Sequence, residues 1–337
     1  MRQRKSIARW PGLILIGRGL ALVVASAAVA GCTMSSAAQV READLRAREH
    51  VAQAARLTDE GQLDQAITEL QLAIQANPEL TTAHVNLGEL YRVQGDYPSA
   101  ERSYREAART DPRSFDAQYG HGLVLQLMDR VAEAVGAYLR ALAINADDFN
   151  ANLNLATAYL QQQQARQALP YAEKAVALNP EDGPARVNLG AVYATLGDHE
   201  RAIRAYQAAA ELMDLSPPLL LNLANSLGQT GRYREMVNTL GQLLRVEPSA
   251  EAYERLGFAY FRLNRIEDAL AAFRNAVALN DRHYPALNGL GVCLLNRFLM
   301  SDREDAEARR EGVEALRRSL RINRRQPRIV DLVSRYG

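Results

Sequence analysis

Residues 81–112, TTAHVNLGELYRVQGDYPSAERSYREAARTDP, decide the fold. Leu87, Gly88, Tyr91, Ala100, Tyr104 and Ala107 set large residues against small ones, and Pro112 stands where a helix must stop. Stepping outward by 34 residues repeats the scheme: Gly88, Gly122, Ala156, Gly190 and Ala224 keep one step, and Ala66, Ala100, Ala134, Ala168 and Ala202 keep the same step twelve places later. A small residue recurring this way marks where two helices touch. A period between 20 and 50 residues predicts a stacked array in which each unit buries its apolar face against its neighbours. Such arrays hold partners rather than transform substrates.

With repeat starts at Ala47, Thr81, Phe115, Phe149, Gly183 and Pro217, the eleventh place reads Leu57, Tyr91, Leu125, Tyr159, Tyr193 and Leu227. The twenty-fourth includes Leu70, Tyr104, Tyr138 and Tyr206; the twenty-seventh is Ala73, Ala107, Ala141, Ala175 and Ala209; the thirty-second gives Pro78, Pro112, Pro180 and Pro248. This schedule resembles the tetratricopeptide repeat over roughly residues 47–329. The resemblance implies an all-α chain folded as a right-handed superhelix, an α-solenoid of about eight helix-turn-helix repeats, with residues 330–337 as a tail.

Two repeats, from Ala250 and Tyr284, complete the eight. In the last, Gly291 and Ala315 are 24 apart instead of 12, so it carries a twelve-residue insertion. Ser301 with Glu304 reads as a capping box and Asp305 with Arg309 as an ion-pair spacing, which predicts a lengthened second helix. In the sixth repeat Met236 and Leu243 replace the usual alanines after Ser216, Pro217 and Pro218. Residues 215–218 are therefore a candidate seam between subarrays, against the plainer reading of a locally repacked repeat.

The first 31 residues differ in kind. Arg2, Arg4, Lys5, Arg9 and Arg18 are unaccompanied by acid, and Leu20 to Val29 is an apolar run of ten, far short of the roughly 20 residues that cross a membrane. A secretory signal is expected. Its end, Val29, Ala30, Gly31 and Cys32, resembles the bacterial lipobox, which implies cleavage before Cys32, lipidation of its thiol and acylation (palmitate) of the new N-terminus. Two or more acyl chains hold stably where one holds weakly. The alternative is a soluble secreted protein with a chance Gly-Cys pair. By the same resemblance, Thr33 in place of an aspartate implies the outer membrane, facing the periplasm. The tether over residues 32–46 reaches at most about 50 Å at ~3.5 Å per residue, so the array is expected to work near the membrane surface.

Charge and composition narrow the chemistry. The chain has 40 basic and 39 acidic residues; losing the five basic residues of the signal leaves 35 against 39, a net of about −4, which argues against a nucleic-acid partner. Lysine occurs only as Lys5 and Lys174, no glycine-rich phosphate loop is present, and no His-Glu-x-x-His or Gly-x-Ser-x-Gly string appears. No enzyme activity, metal or cofactor is expected. His50 and His84 at the fourth place read as packed aromatics. Cys293, inside a first helix, reads as a small core residue without a disulfide mate.

The candidate binding feature is a row of amides. Asn86, Asn154, Asn188 and Asn222 occupy the sixth place, and Asn225 a ninth. A side-chain amide offers both donor and acceptor, matching a peptide group whatever its side chain. In the family the resemblance points to, first helices line the concave side, where such asparagines hold extended peptides. The fifth place, Val85, Tyr119, Leu153, Val187 and Leu221, and the later Phe258 and Phe261 are expected on the same face. An uncharged groove of this kind suits an apolar or amphipathic protein segment. Arg309, Arg310, Arg317, Arg318, Arg321, Arg324, Arg325 and Arg328 crowd the C-terminal end, either a solvated capping helix or a docking patch for anionic lipid or an acidic partner. Lipobox and array together are similar to pilus-assembly lipoproteins of the pilotin kind, which implies a scaffold with a secretin or pilus-assembly component as partner. The second reading is an adaptor for peptidoglycan-modifying or polysaccharide-export machinery.

Overall fold

The computed structural model describes residues 17–337, with side chains from residue 37 onward. The first sixteen residues and the side chain of Cys32, on which the signal and lipidation readings rest, lie outside the described residues.

Among the described residues every element is an α-helix, and the chain divides into two compact units between Asp129 and Arg130. Unit 1 holds α1 (Gly17–Asp59), α2 (Leu63–Ala76), α3 (Thr81–Gln94), α4 (Tyr97–Thr110) and α5 (Phe115–Leu127). Unit 2 opens with α6 (Val131–Ile144), α7 (Phe149–Gln161), α8 (Ala165–Leu178), α9 (Gly183–Thr195), α10 (His199–Leu212) and α11 (Pro217–Gln229). It continues with α12 (Tyr233–Val246), α13 (Ala250–Arg262), α14 (Ile266–Leu279), α15 (Tyr284–Met300), α16 (Ala306–Ile322) and α17 (Pro327–Tyr336). Within each unit helices pair as hairpins and each hairpin packs on the next, the helix-turn-helix stack of an α-solenoid. No described helix is long and apolar enough to cross a membrane.

The turn between the two helices is built the same way in the first seven repeats. Place fifteen is left-handed in seven repeats, at Gly61, Gly95, Asp129, Gln163, Gly197, Gly231 and Asn264, with φ between 58° and 83°. That bend lets the N–H of place sixteen reach back to the carbonyl of place eleven, as from Asp96 to Tyr91 at 2.9 Å and from Asp198 to Tyr193 at 2.9 Å. Many helix starts carry an acceptor cap: Asp148 Oδ1 takes the N–H of Ala151 at 2.7 Å, and Asp182 Oδ1 that of Ala185 at 2.7 Å.

Small and large places interlock across helices. The ring of Tyr104 on α4 fills the space over two glycines: a Cβ at Gly88 on α3 would stand 2.9 Å from it, and one at Gly120 on α5 2.2 Å. Phe273 on α14 does the same between Gly257 and Gly289, at 2.8 and 2.2 Å. Place eight and the next repeat's place six thus both rest on the aromatic at place twenty-four. Overfilling such contacts typically costs about 1–3 kcal/mol.

Three expectations are corrected. The division does not fall at residues 215–218, because one core runs from Ala156 to Ala259 through Leu219, Leu220, Met236 and Leu243. The bulk of Met236 occupies the space that Gly228 leaves open: its sulfur lies 3.0 Å from where a Cβ at Gly228 would be. The insertion lengthens both helices of the last repeat, α15 and α16 each having 17 residues. Ser301 ends α15, Asp302 and Arg303 turn at φ 52° and 71°, and Asp305 caps α16 by accepting the N–H of Ala308 at 2.9 Å, so the Ser301–Glu304 capping box does not form. Asp305 pairs with Arg297 at 3.1 Å rather than with Arg309. Finally, Pro327 opens a further helix, α17, whose Ile329 is buried with Leu295, Val313 and Leu316; most of the expected tail is helical.

Candidate functional site

At Gly120 and Gly289 place six lies against the preceding repeat's aromatic ring, so the residue there decides whether the ring fills the surface. Glycine at 120 and 289 lets the ring occupy the space; asparagine at the same place puts an amide there. Asn222 and Asn225 on α11 both line a cleft of about 590 Å³ in unit 2, with Tyr206 beneath and Phe258 of α13 on its wall. These three are the predicted site residues that the structure brings together. Asn188 on α9 instead donates from Nδ2 to the hydroxyl of Thr157 at 2.8 Å. Asn154 and Leu153 are half-buried on α7, and the Leu153 carbonyl accepts the Thr157 hydroxyl at 2.9 Å.

In unit 1, Asn86 is exposed and lines a smaller cavity of about 230 Å³ with Leu90 and Glu89. Glu89 accepts from Tyr104 Oη at 2.9 Å and from Arg92 Nε at 2.8 Å; the Arg92 bonds hold its carboxyl below the usual range against the opposing effect of burial. Tyr119 stacks on Phe115 with centroids 5.6 Å apart, which commits its ring to its own helix.

The unit 2 cleft contains residues that the amide row did not anticipate. Arg262 lies over the ring of Tyr233 at 4.8 Å and of Phe258 at 5.9 Å, and those two rings meet edge-to-face at 6.0 Å. Its guanidinium has no carboxylate partner among the described residues, whereas neighbouring Arg255 faces Glu251 at 3.4 Å and Glu254 at 3.8 Å. His199 Nδ1 and Asn225 Oδ1 are buried atoms without a hydrogen-bond partner. Phe258 and Arg262 also border a second cavity, of about 400 Å³, formed with Phe261, Phe273, Pro285 and Val292. Glu254 lines this cavity too, and burial raises its carboxyl above the ordinary range. Spacing alone gives no sign of Arg262, because its free charge depends on which acids the neighbouring helices have already taken.

Of the other candidates, His84 is buried with Nε2 2.8 Å from the Pro78 carbonyl, and His50 Nδ1 lies 2.6 Å from Glu69 Oε2, so both are engaged locally. Cys293 is buried and unpaired, its thiol pushed up to about 12 by desolvation. Among the described residues no group of His, Cys, Asp and Glu is placed to hold a metal ion. At the C-terminal end Arg310 reaches Glu307 at 3.8 Å, while Arg309, Arg317, Arg318, Arg321, Arg324, Arg325 and Arg328 form no ion pair with any described residue.

Profiles of the tetratricopeptide repeat match residues 51–100, 85–149 and 153–218, and again 250–283. Small glutamine-rich tetratricopeptide repeat-containing protein 2 of Mycosarcoma maydis is 30% identical over 121 residues, 35% of this chain and 34% of that protein. The chain thus spans about a third of that relative's length. Among solved structures, PilF of Pseudomonas aeruginosa is similar with a TM-score of 0.53 and 20% identity, covering 63% of this chain and 96% of that one. PilW, described as a widely conserved type IV pilus biogenesis factor, is similar at 0.50 and 20% identity, covering 59% and 92%. At these identities the likeness is one of fold.

Proposed function

We propose that this chain, which belongs to the tetratricopeptide repeat family, is a non-catalytic scaffold of the bacterial cell envelope, tethered by a lipid at Cys32 and holding protein segments during assembly of a pilus or secretion machine. The observation that carries the reading is the unit 2 cleft: Asn222, Asn225 and Phe258, placed there by the repeat, share a cavity of about 590 Å³ with unpaired polar atoms. Amides beside aromatic rings bind a backbone and its apolar side chains together, which is what a protein-holding groove needs. The lipobox-like Val29 to Cys32 supports a membrane anchor, and Thr33 after it favours the outer membrane facing the periplasm. PilW, whose fold is similar, supports the pilus setting.

The test is cross-linking of the full chain in cells, with recovery of its partners from membranes. A secretin or pilus-assembly component is the expected capture; recovery of cell-wall hydrolases or polysaccharide-export proteins alone would replace the pilus reading with the adaptor reading. In the same cells Cys32→Ser is expected to move the array to the soluble periplasmic fraction. Retention of that variant in the membrane would remove the lipid anchor from the proposal.

A further inference from the structure

The two adjoining cavities of unit 2 differ in chemistry and share a wall. Phe258 and Arg262 border both. On the far side, Asn288 of α15 donates from Nδ2 to Gln326 Oε1 at 2.7 Å. Gln326 cannot be turned the other way, because its Nε2 already donates to Ser319 Oγ at 2.9 Å and to the Asn323 carbonyl at 2.8 Å. The amide of Asn288 is therefore fixed in orientation; the residue borders the smaller cavity, and its buried Oδ1 has no donor. Asn225 leaves a second buried oxygen unpaired on the larger one. Buried acceptors of this kind are rarely left unmet, and a backbone N–H meets them.

We propose that this paired cleft selects an extended protein segment in which a large apolar side chain lies beside a carboxylate, the apolar group entering between Phe258, Phe261 and Phe273 and the carboxylate meeting Arg262. The inference rests on the scaffold reading and names the partner's chemistry. Arg262 is the reason for the acid: contact with the Tyr233 and Phe258 rings holds the guanidinium at the cleft, and a planar fork without a carboxylate partner matches a carboxylate. The acids nearby form no ion pair with it, since Glu251 and Glu254 both face Arg255. The chain's own N-terminal segment is an unsuitable occupant, carrying Arg2, Arg4, Lys5 and Arg9 without an acid. The phenylalanine-lined cavity, at about 400 Å³, has room for a large side chain.

The test uses the purified full chain and four fluorescein-labelled Gly-Ser dodecapeptides, acetylated at the N-terminus and amidated at the C-terminus, carrying a central Asp-Phe-Asp, Asn-Phe-Asn, Asp-Ala-Asp or Lys-Phe-Lys. Fluorescence anisotropy is expected to show Asp-Phe-Asp binding about tenfold more tightly than the Asn and Ala peptides, as one charged hydrogen bond or one filled pocket implies. Arg262→Met should abolish the preference for Asp over Asn and keep that for Phe over Ala. Val292→Trp, which fills the pocket, should do the reverse; if its melting departs from the parent's, Phe261→Ala replaces it. Equal binding of all four peptides, no binding of any, or preference for the Lys peptide overturns the proposal. Cellular partner capture unchanged by both variants sinks the pocket while the scaffold stands. Selective peptide binding without any captured partner sinks the scaffold reading and leaves the pocket.

Discussion

Place fifteen isolates a single physical quantity, the strain of a left-handed residue inside an otherwise uniform turn. Gly197 has φ 83°, and a Cβ added there would meet nothing within 4 Å, so Gly197→Ala changes backbone energy without a clash. Gln163 holds the equivalent place at φ 59° with a side chain. Left-handed backbone costs an ordinary residue roughly 1–2 kcal/mol, which glycine's larger unfolded-state entropy partly offsets. Gly197→Ala is therefore expected to destabilise by about 1 kcal/mol and Gln163→Gly to stabilise by somewhat less than that. Urea midpoints measure both, and two variants indistinguishable from the parent would mean the turn relaxes out of the left-handed region. This shared geometry is hidden in the sequence because Gly, Asp, Gln and Asn at one place form no compositional class. Gly88 and Tyr104 were legible for the opposite reason: sterics at a helix contact admit few residue types, so the pattern repeats in letters.

The last hairpin shows how an element can be foreseen and its detail missed. Spacing reveals twelve extra residues between Gly291 and Ala315, but both α15 and α16 share them, and the stop falls where Asp302 and Arg303 turn left-handed. Nothing in the letters ranks Ser301 against Asp305 as a cap, since either residue type accepts an N–H. The geometry does rank them: Asp305 holds the N–H of Ala308 and also faces Arg297 at 3.1 Å, while Glu304 meets neither. Asp305→Ala is expected to lower stability by about 1 kcal/mol from the cap, with a few tenths more from a half-exposed ion pair. Glu304→Ala should stay within about 0.5 kcal/mol of the parent. Chemical denaturation of the two variants distinguishes the arrangements, because the capping-box alternative requires Glu304→Ala to be the damaging one.

Across a unit, each hairpin touches little beyond its neighbours, and this governs both how the site was legible and how the unit fails. Asn222, Asn225 and Phe258 could be placed on one surface from repeat positions alone, because the repeat copies its own orientation. Tyr233 and Arg262 could not, because their stacking joins side chains from adjacent repeats and no single repeat records it. The same nearest-neighbour logic predicts local unfolding. A Cβ at Gly190 would lie 2.6 Å from the ring of Tyr206, so Gly190→Leu forces α9 away from α10. The disturbance enters the core that runs from Ala156 to Ala259, whereas Leu295, Val313, Leu316 and Ile329 form a separate cluster at the far end of unit 2. Hydrogen exchange on Gly190→Leu is therefore expected to lose protection in α9, α10 and α11 while α16 and α17 keep theirs. Equal loss across residues 130–337 would instead show that unit 2 unfolds as one cooperative block, and that strain at the hairpin lining the cleft reaches the C-terminal helices as well.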